Sequence, residues 1–168
     1  MIKIILFSFV FSANILILSA CGGGGATTAT TATLKINLNG DSGGKTIIGA
    51  GFTLTMPNNV TPAQVNNVVA SSVVTPSGTF AGSSIAPIVT YLPAAGTTPG
   101  TVQIVLSNLA VDGVPAVGEV ATITLQLSNG AVPIAADFAL NSVPVVVIDP
   151  LGNVVVGMTA SAVSVTLQ

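Results

Sequence analysis

The stretch Ile48-Gly49-Ala50-Gly51-Phe52-Thr53-Leu54-Thr55-Met56 determines the fold class of this chain. Apolar residues alternate with glycine or threonine over its whole length, and side chains on a β-strand point alternately to opposite faces. One face of this strand is therefore apolar and the other is small or polar, which is typical of a strand half-buried in a sheet. Pro57 ends the strand, because proline lacks the N–H that a ladder hydrogen bond needs.

The same alternation recurs on both sides of this stretch. It is clearest in residues 34–38, 102–106 and 121–127, and turn sequences rich in glycine, proline and asparagine separate the segments. Thr61-Pro62 is the single helix signal, an N-cap followed by a first-turn proline, and predicts one helical turn. Because no helix is long enough for a parallel crossover, we expect an antiparallel β-sandwich or jelly roll of about nine strands over residues 33–168.

The N-terminus has the order of parts found in an export signal. Lys3 supplies a positive charge, residues 4–18 are mostly apolar, and Leu18-Ser19-Ala20-Cys21 resembles the lipobox of bacterial lipoproteins. An uncleaved membrane helix is the alternative, but residues 4–20 barely reach the ~17 residues that a span needs and include polar side chains. We therefore expect residues 1–20 to be a cleaved signal peptide and Cys21 to be acylated.

Residues 21–32 form the predicted connection between this anchor and the domain. They consist of the cysteine followed by glycine, alanine and threonine, with no charged or large side chain that would pack a core. A flexible chain of this length has an end-to-end distance of about 20 Å. The domain is thus expected at the cell envelope, held off the membrane by a tether. Gly22 after the cysteine, in place of aspartate, favours the outer membrane or cell surface.

The charged residues exclude some classes of function. The 168-residue chain has three basic residues, five acidic ones and no histidine, with a net charge of −2. A nucleic-acid partner is not expected, because no basic stripe exists to neutralise phosphates. Enzymatic activity is not expected either, since the commonest general base and metal ligand is missing. The acids lie mostly in turn sequences, as Asp41, Asp112 and Asp149 do, so we predict neither a metal site nor a cofactor.

Candidate ligand contacts are few. Tyr91 alternates with Thr90 and Leu92 and is the aromatic side chain best suited to touch a ligand, although a structural position with its hydroxyl at the rim of the sandwich is the more common role for such a tyrosine. Outward positions of two predicted strands would form a flat polar face for hydrogen bonding, at Thr53, Thr55, Thr122, Thr124 and Gln126. Outward threonines are also common on any sandwich.

Three segments resemble cohesin-like domains, which are jelly-roll sandwiches related to some carbohydrate-binding modules. Gly51–Pro57 followed by Val60 is similar to the family's early strand and its proline-containing turn. Residues 118–125 are similar to a later strand led by glycine, and Phe138 with the Asp149-x-x-Gly152 turn resembles the family's closing segment. The family often has Tyr-Asp before the proline, where this chain has Thr55-Met56.

The resemblance implies a non-catalytic extracellular module that binds a protein, such as a dockerin-like partner, or a polysaccharide. With the lipobox, it predicts a binding module attached to the membrane through Cys21. The alternative is a structural lipoprotein of the cell envelope without a discrete ligand. A saturable partner distinguishes the first function from the second.

Overall fold

A computed structural model describes residues 28–64, 68–140 and 144–168 of the chain. Cys21 and the predicted signal peptide lie outside these ranges. Among the described residues no helix has the length and apolar character needed to cross a membrane. The strands, in chain order, are β1 (Thr31–Gly40), β2 (Thr46–Ile47), β3 (Gly49–Thr55), β4 (Val60–Pro62), β5 (Val74–Pro76), β6 (Ile88–Leu92), β7 (Thr101–Ser107), β8 (Val114–Pro115), β9 (Gly118–Leu127), β10 (Val146–Ile148) and β11 (Met158–Leu167).

The first sheet has the order β11-β1-β9, with β4 and β5 both paired to the far side of β9. All its pairings are antiparallel. In its long central strand, Leu34, Ile36 and Leu38 are fully buried. The residues between them point to the opposite, outer face, so the period-two alternation of the sequence is realised here.

The second sheet has the order β10-β3-β7-β6 and is also antiparallel throughout. Its two central strands contribute Phe52, Leu54 and Ile104 to the interior. The buried faces of both sheets belong to one hydrophobic cluster. Each large apolar side chain fully buried in such a core contributes ~1.5–3 kcal/mol. A small ribbon of β2 and β8 stands apart from the two sheets.

These features confirm an all-β, antiparallel fold that is not closed into a barrel within the described ranges. The structure divides those ranges into eleven strands, where about nine were predicted, because short pairings such as β2 with β8 leave little trace in the sequence pattern. Phe52 is buried on the inward side of β3, and Phe138 is also buried, although it follows the 3₁₀ turn Ala135–Asp137 and lies on no strand.

Several local predictions were wrong. Thr61 and Pro62 do not start a helical turn but lie in β4, where they pair with β9. Tertiary pairing overrides the capping signal at that point, and the proline is tolerated because β4 is a short edge strand. After β5, Gly78–Phe80 forms a 3₁₀ turn. In addition, β1 begins at Thr31, two residues before the predicted start of the domain.

Both ends of the described chain lie together. The N–H of Gln168 donates to the carbonyl of Thr31 at 2.8 Å, and the N–H of Thr31 donates back at 3.3 Å. From this end β1 rises for ten residues, or about 33 Å at 3.3 Å per residue. Any tether that precedes Thr28 therefore attaches at one end of the molecule, close to the C-terminal residue.

Candidate functional site

Part of the outer face of the second sheet is a concave apolar depression. Gly49 and Gly51 point outward from β3, and they have no side chain to fill the middle of the face. Gly51 pairs with Val146 on one side and Val105 on the other, so branched side chains rise on both flanks of a bare backbone strip. We call this depression the apolar trough.

The trough has a volume of about 490 Å³. Its apolar walls come from β7, β10 and the adjoining loops, and consist of Val105, Val146, Ile148, Ile85, Leu109 and Pro144. Polar atoms enter mainly at its ends, from Thr53, Gln103, Ser107 and Asn108. No charged side chain is among the described residues that line it. Such a lining binds by shape and apolar contact, and it offers no acid, base or nucleophile pair for catalysis.

The apolar surface continues from the trough to the edge of the sheet. Ile88 on β6 is the cross-strand neighbour of Val105 and is 64% exposed, while Val146 on the opposite edge is 46% exposed. Together with Gly51 these residues form one apolar row across all four strands. The next row, formed by Thr53, Gln103 and Thr90, is polar. The face is thus divided into an apolar half and a polar half.

The outer face of the first sheet has the opposite character. Its outward side chains are hydroxyls and amides, namely Thr31, Thr33, Asn37, Asn39, Thr75, Thr122, Thr124, Gln126, Thr159, Ser161, Ser164 and Thr166. Lys35 and Glu119 form an ion pair at 2.9 Å on neighbouring strands of this face. We call it the polar face.

The structure separates the polar residues that the sequence grouped together. Thr53 and Thr55 lie on the second sheet, beside the trough, whereas Thr122, Thr124 and Gln126 lie on β9 in the first sheet. The outer faces of the two sheets point away from the common core in opposite directions. These five residues therefore do not form the single polar face that was expected.

Tyr91 lies on the inward side of β6. It is half-buried and packs against the hydrophobic core, while its neighbours Thr90 and Leu92 are exposed. The sequence correctly placed Tyr91 on a strand but did not determine which face of the sheet it occupies.

The sequence did not identify Gly49 and Gly51 as site residues. Their outward positions were visible in the alternation, but the flanking valines that turn them into a trough come from distant strands.

The acidic side chains serve local structure. Asp149 is 5% exposed, and its Oδ1 accepts the N–H of Asn153 at 2.8 Å and of Leu151 at 3.0 Å. The backbone hydrogen bond from Asn153 lowers the pKa of this carboxyl, helped by the Asn153 side chain, and Lys45 lies 3.8 Å away. The carboxylate thus holds the turn after β10. Within the described ranges, no three His, Cys, Asp or Glu side chains converge on a common point.

Comparison with known proteins gives no relative for this chain: no protein-family model, no curated protein sequence and no solved structure matches it.

Proposed function

We propose that this chain is a membrane-anchored, non-catalytic binding module outside the cytoplasm, of cohesin-like type, whose apolar trough holds part of a partner protein. The supporting observation is the trough itself, an exposed apolar depression of about 490 Å³ with no charged side chain among the described residues that line it. Exposed apolar surface of this kind costs solubility, and on soluble domains it usually marks an interaction site. The two sheets would form a jelly-roll sandwich, in keeping with a chain that crosses repeatedly from one sheet to the other.

The chemistry of the trough favours a protein partner over a polysaccharide. Sugar sites on sandwiches commonly use exposed aromatic rings or clusters of polar groups, and the walls of the trough are aliphatic. The aromatic ring of Phe52 belongs to the core, since this residue is 2% exposed. Aliphatic side chains of a partner would replace water over Gly51 and gain apolar contact with Val105 and Val146.

The position of the chain ends agrees with a membrane anchor. A tether attached at Thr28 leaves the molecule at the end where Thr31 meets Gln168. The trough lies around Gly49 and Gly51, toward the other end, because β1 runs away from the tether and a short connection leads from Gly40 into β2 and β3. An acylated Cys21 would therefore hold the molecule by the end that is farther from the trough.

Filling the trough is expected to abolish partner binding while the fold stays intact. A Cβ at Gly51 meets only ordinary contacts, the nearest being Val105 Cγ2 at 3.9 Å, and valine suits a strand. Gly51→Val should therefore fold normally, and its side chain should occupy the space that the partner needs. The full-length chain in detergent would first be used to capture partner proteins from the cell envelope. The Kd for a purified captured partner should then rise at least tenfold in the variant, which is a loss of ~1.4 kcal/mol of binding free energy.

Thr124→Val is the matched control, because it places the same side chain at an exposed strand position on the polar face. It should leave the Kd unchanged. Equal binding by wild type and Gly51→Val would refute the trough as the site. If wild-type chain captured no partner that saturates, the structural envelope lipoprotein would be the correct function.

The anchor is tested separately. Labelled palmitate fed to the producing cells should enter the wild-type chain and be absent from Cys21→Ser, and the variant should move from the membrane fraction to the soluble fraction. A label that persists in Cys21→Ser would show that acylation at this cysteine is not how the chain is attached.

A further inference from the structure

The edges of the two sheets differ in how they are protected. An exposed edge strand offers unpaired N–H and C=O groups to any other strand, and proteins usually block it with proline, charge or short length. Three edges in the described ranges follow this rule. All are five residues or shorter, and a proline lies within or close to each: Pro62 in β4 and Pro76 in β5 on one edge, Pro87 and Pro93 around β6, and Pro144 and Pro150 around β10.

The fourth edge, β11, has none of these features. It is ten residues long, contains no proline, and the chain has no charged residue after Asp149. Among the described residues, β1 is its sole strand partner. The 3₁₀ turn Ala135–Asp137 lies near β11 but makes no backbone hydrogen bond to it. This strand is therefore open to pairing in a way that the other edges are not.

The hydrogen-bond ladder between β1 and β11 identifies which backbone N–H and C=O groups of β11 are not bonded to β1. Thr31 and Gln168 exchange both backbone hydrogen bonds, so the next pair, Ala32 with Leu167, is a non-hydrogen-bonded pair. The alternation continues through Thr166, which bonds to β1, and Val165, which does not. The N–H and C=O groups of Val165 and Leu167 thus point away from β1. Beyond Ser164 a bulge at Val163 breaks the register, so the regular open segment is residues 164–168.

We propose that two copies of this chain associate by antiparallel pairing of residues 164–168 of β11, which joins their first sheets into one continuous sheet. Identical antiparallel strands are related by a two-fold axis, so each copy satisfies the open groups of the other. Thr166 then meets its counterpart at the two-fold axis and Ser164 faces Gln168 of the other copy, so no like charges are brought together.

The place where the tether begins agrees with a second copy as the occupant. Thr31 bonds to Gln168, so in the paired dimer both tethers start beside the shared segment. The tethers of the two chains therefore leave their domains close together, so both anchors can reach the same membrane. The two bodies extend from this point in opposite directions.

The dimer would also be bivalent. A two-fold axis between antiparallel strands of one sheet is perpendicular to that sheet, so both troughs face the same side. Two linked sites raise the apparent affinity for a partner that presents two apolar segments. This consequence rests on the proposed function, whereas the pairing itself does not.

The experiment compares two double variants of the full-length chain by sedimentation velocity in density-matched detergent. Ser164→Lys with Thr166→Lys places two cations on each open edge, and the two lysines at position 166 meet across the two-fold axis. Thr122→Lys with Thr124→Lys is the matched control, because these residues flank the same Lys35 and Thr33 from the other side of β1. The dimer Kd should rise at least tenfold in the edge variant and stay near the wild-type value in the control.

Hydrogen exchange of the wild-type chain gives a second measurement that needs no variant. The amides of Val165 and Leu167 should exchange more slowly as the protein concentration rises through the dimer Kd. A wild-type chain that stays monomeric, a dimer that survives the edge lysines, or amides whose exchange ignores concentration would each overturn the pairing. Gly51→Val should dimerise normally, so unchanged partner binding by that variant would count against the trough alone and would leave the pairing intact.

Discussion

Replacing Phe80 with alanine is expected to lower the free energy of unfolding by about 3–5 kcal/mol. Phe80 is fully buried and is the largest side chain in the core that is completely shielded from water. It enters the core from the 3₁₀ turn Gly78–Phe80, which packs against β9. The truncation removes the ring and leaves a cavity that the two rigid sheets cannot close, so both the transfer and the cavity costs apply.

Chemical denaturation of the variant, followed by circular dichroism, measures this change. Leu151→Ala is the control, because Leu151 is 86% exposed and its truncation should change stability by less than about 0.5 kcal/mol. A loss below about 1 kcal/mol at Phe80 would mean that this turn is not a firm part of the core.

Replacing Gly78 with alanine is expected to cost more than about 2 kcal/mol, from strain rather than from lost burial. Gly78 has φ +52°, a left-handed conformation that costs other residues ~1–2 kcal/mol. In addition, a Cβ at this position would overlap the carbonyl oxygen of Glu119 on β9. The backbone must therefore move away from the sheet, which would also withdraw Phe80 from the core.

Gly82→Ala separates the two causes. Gly82 also has a positive φ, of +78°, but a Cβ there meets nothing within 4 Å. Its substitution should show the conformational cost alone, and the difference between the two variants in thermal or denaturant unfolding measures the overlap with Glu119. Equal losses for both variants would show that the close approach of the turn to β9 is unimportant.

The molecule has two outer faces of contrasting chemistry. One is covered by hydroxyl and amide side chains around a single Lys35–Glu119 ion pair, and the other contains the apolar trough. The domain therefore has two chemically distinct sides. In the proposed dimer, the polar faces form one continuous surface on one side, while both troughs face the partner on the other.

The sequence by itself determined the class of the fold and much of the core. The period-two alternation in residues 34–38 and 48–56 is a local property, because successive side chains of any strand point to opposite sides. It correctly assigned Phe52 to the interior. The proline and glycine that follow Asp149 separately identified that segment as a turn. The alternation also marked Gly49 and Gly51 as outward residues.

Only the tertiary structure decided which outward residues share a face and what they form there. Thr53 and Thr124 look equivalent along the chain, yet they lie on opposite sides of the molecule because their strands belong to different sheets. Gly51 becomes the floor of a trough because Val105 and Val146, far away in sequence, pair beside it. Alternation sets the side of a strand on which a residue lies, but its neighbours across the sheet depend on long-range pairing that no local pattern records.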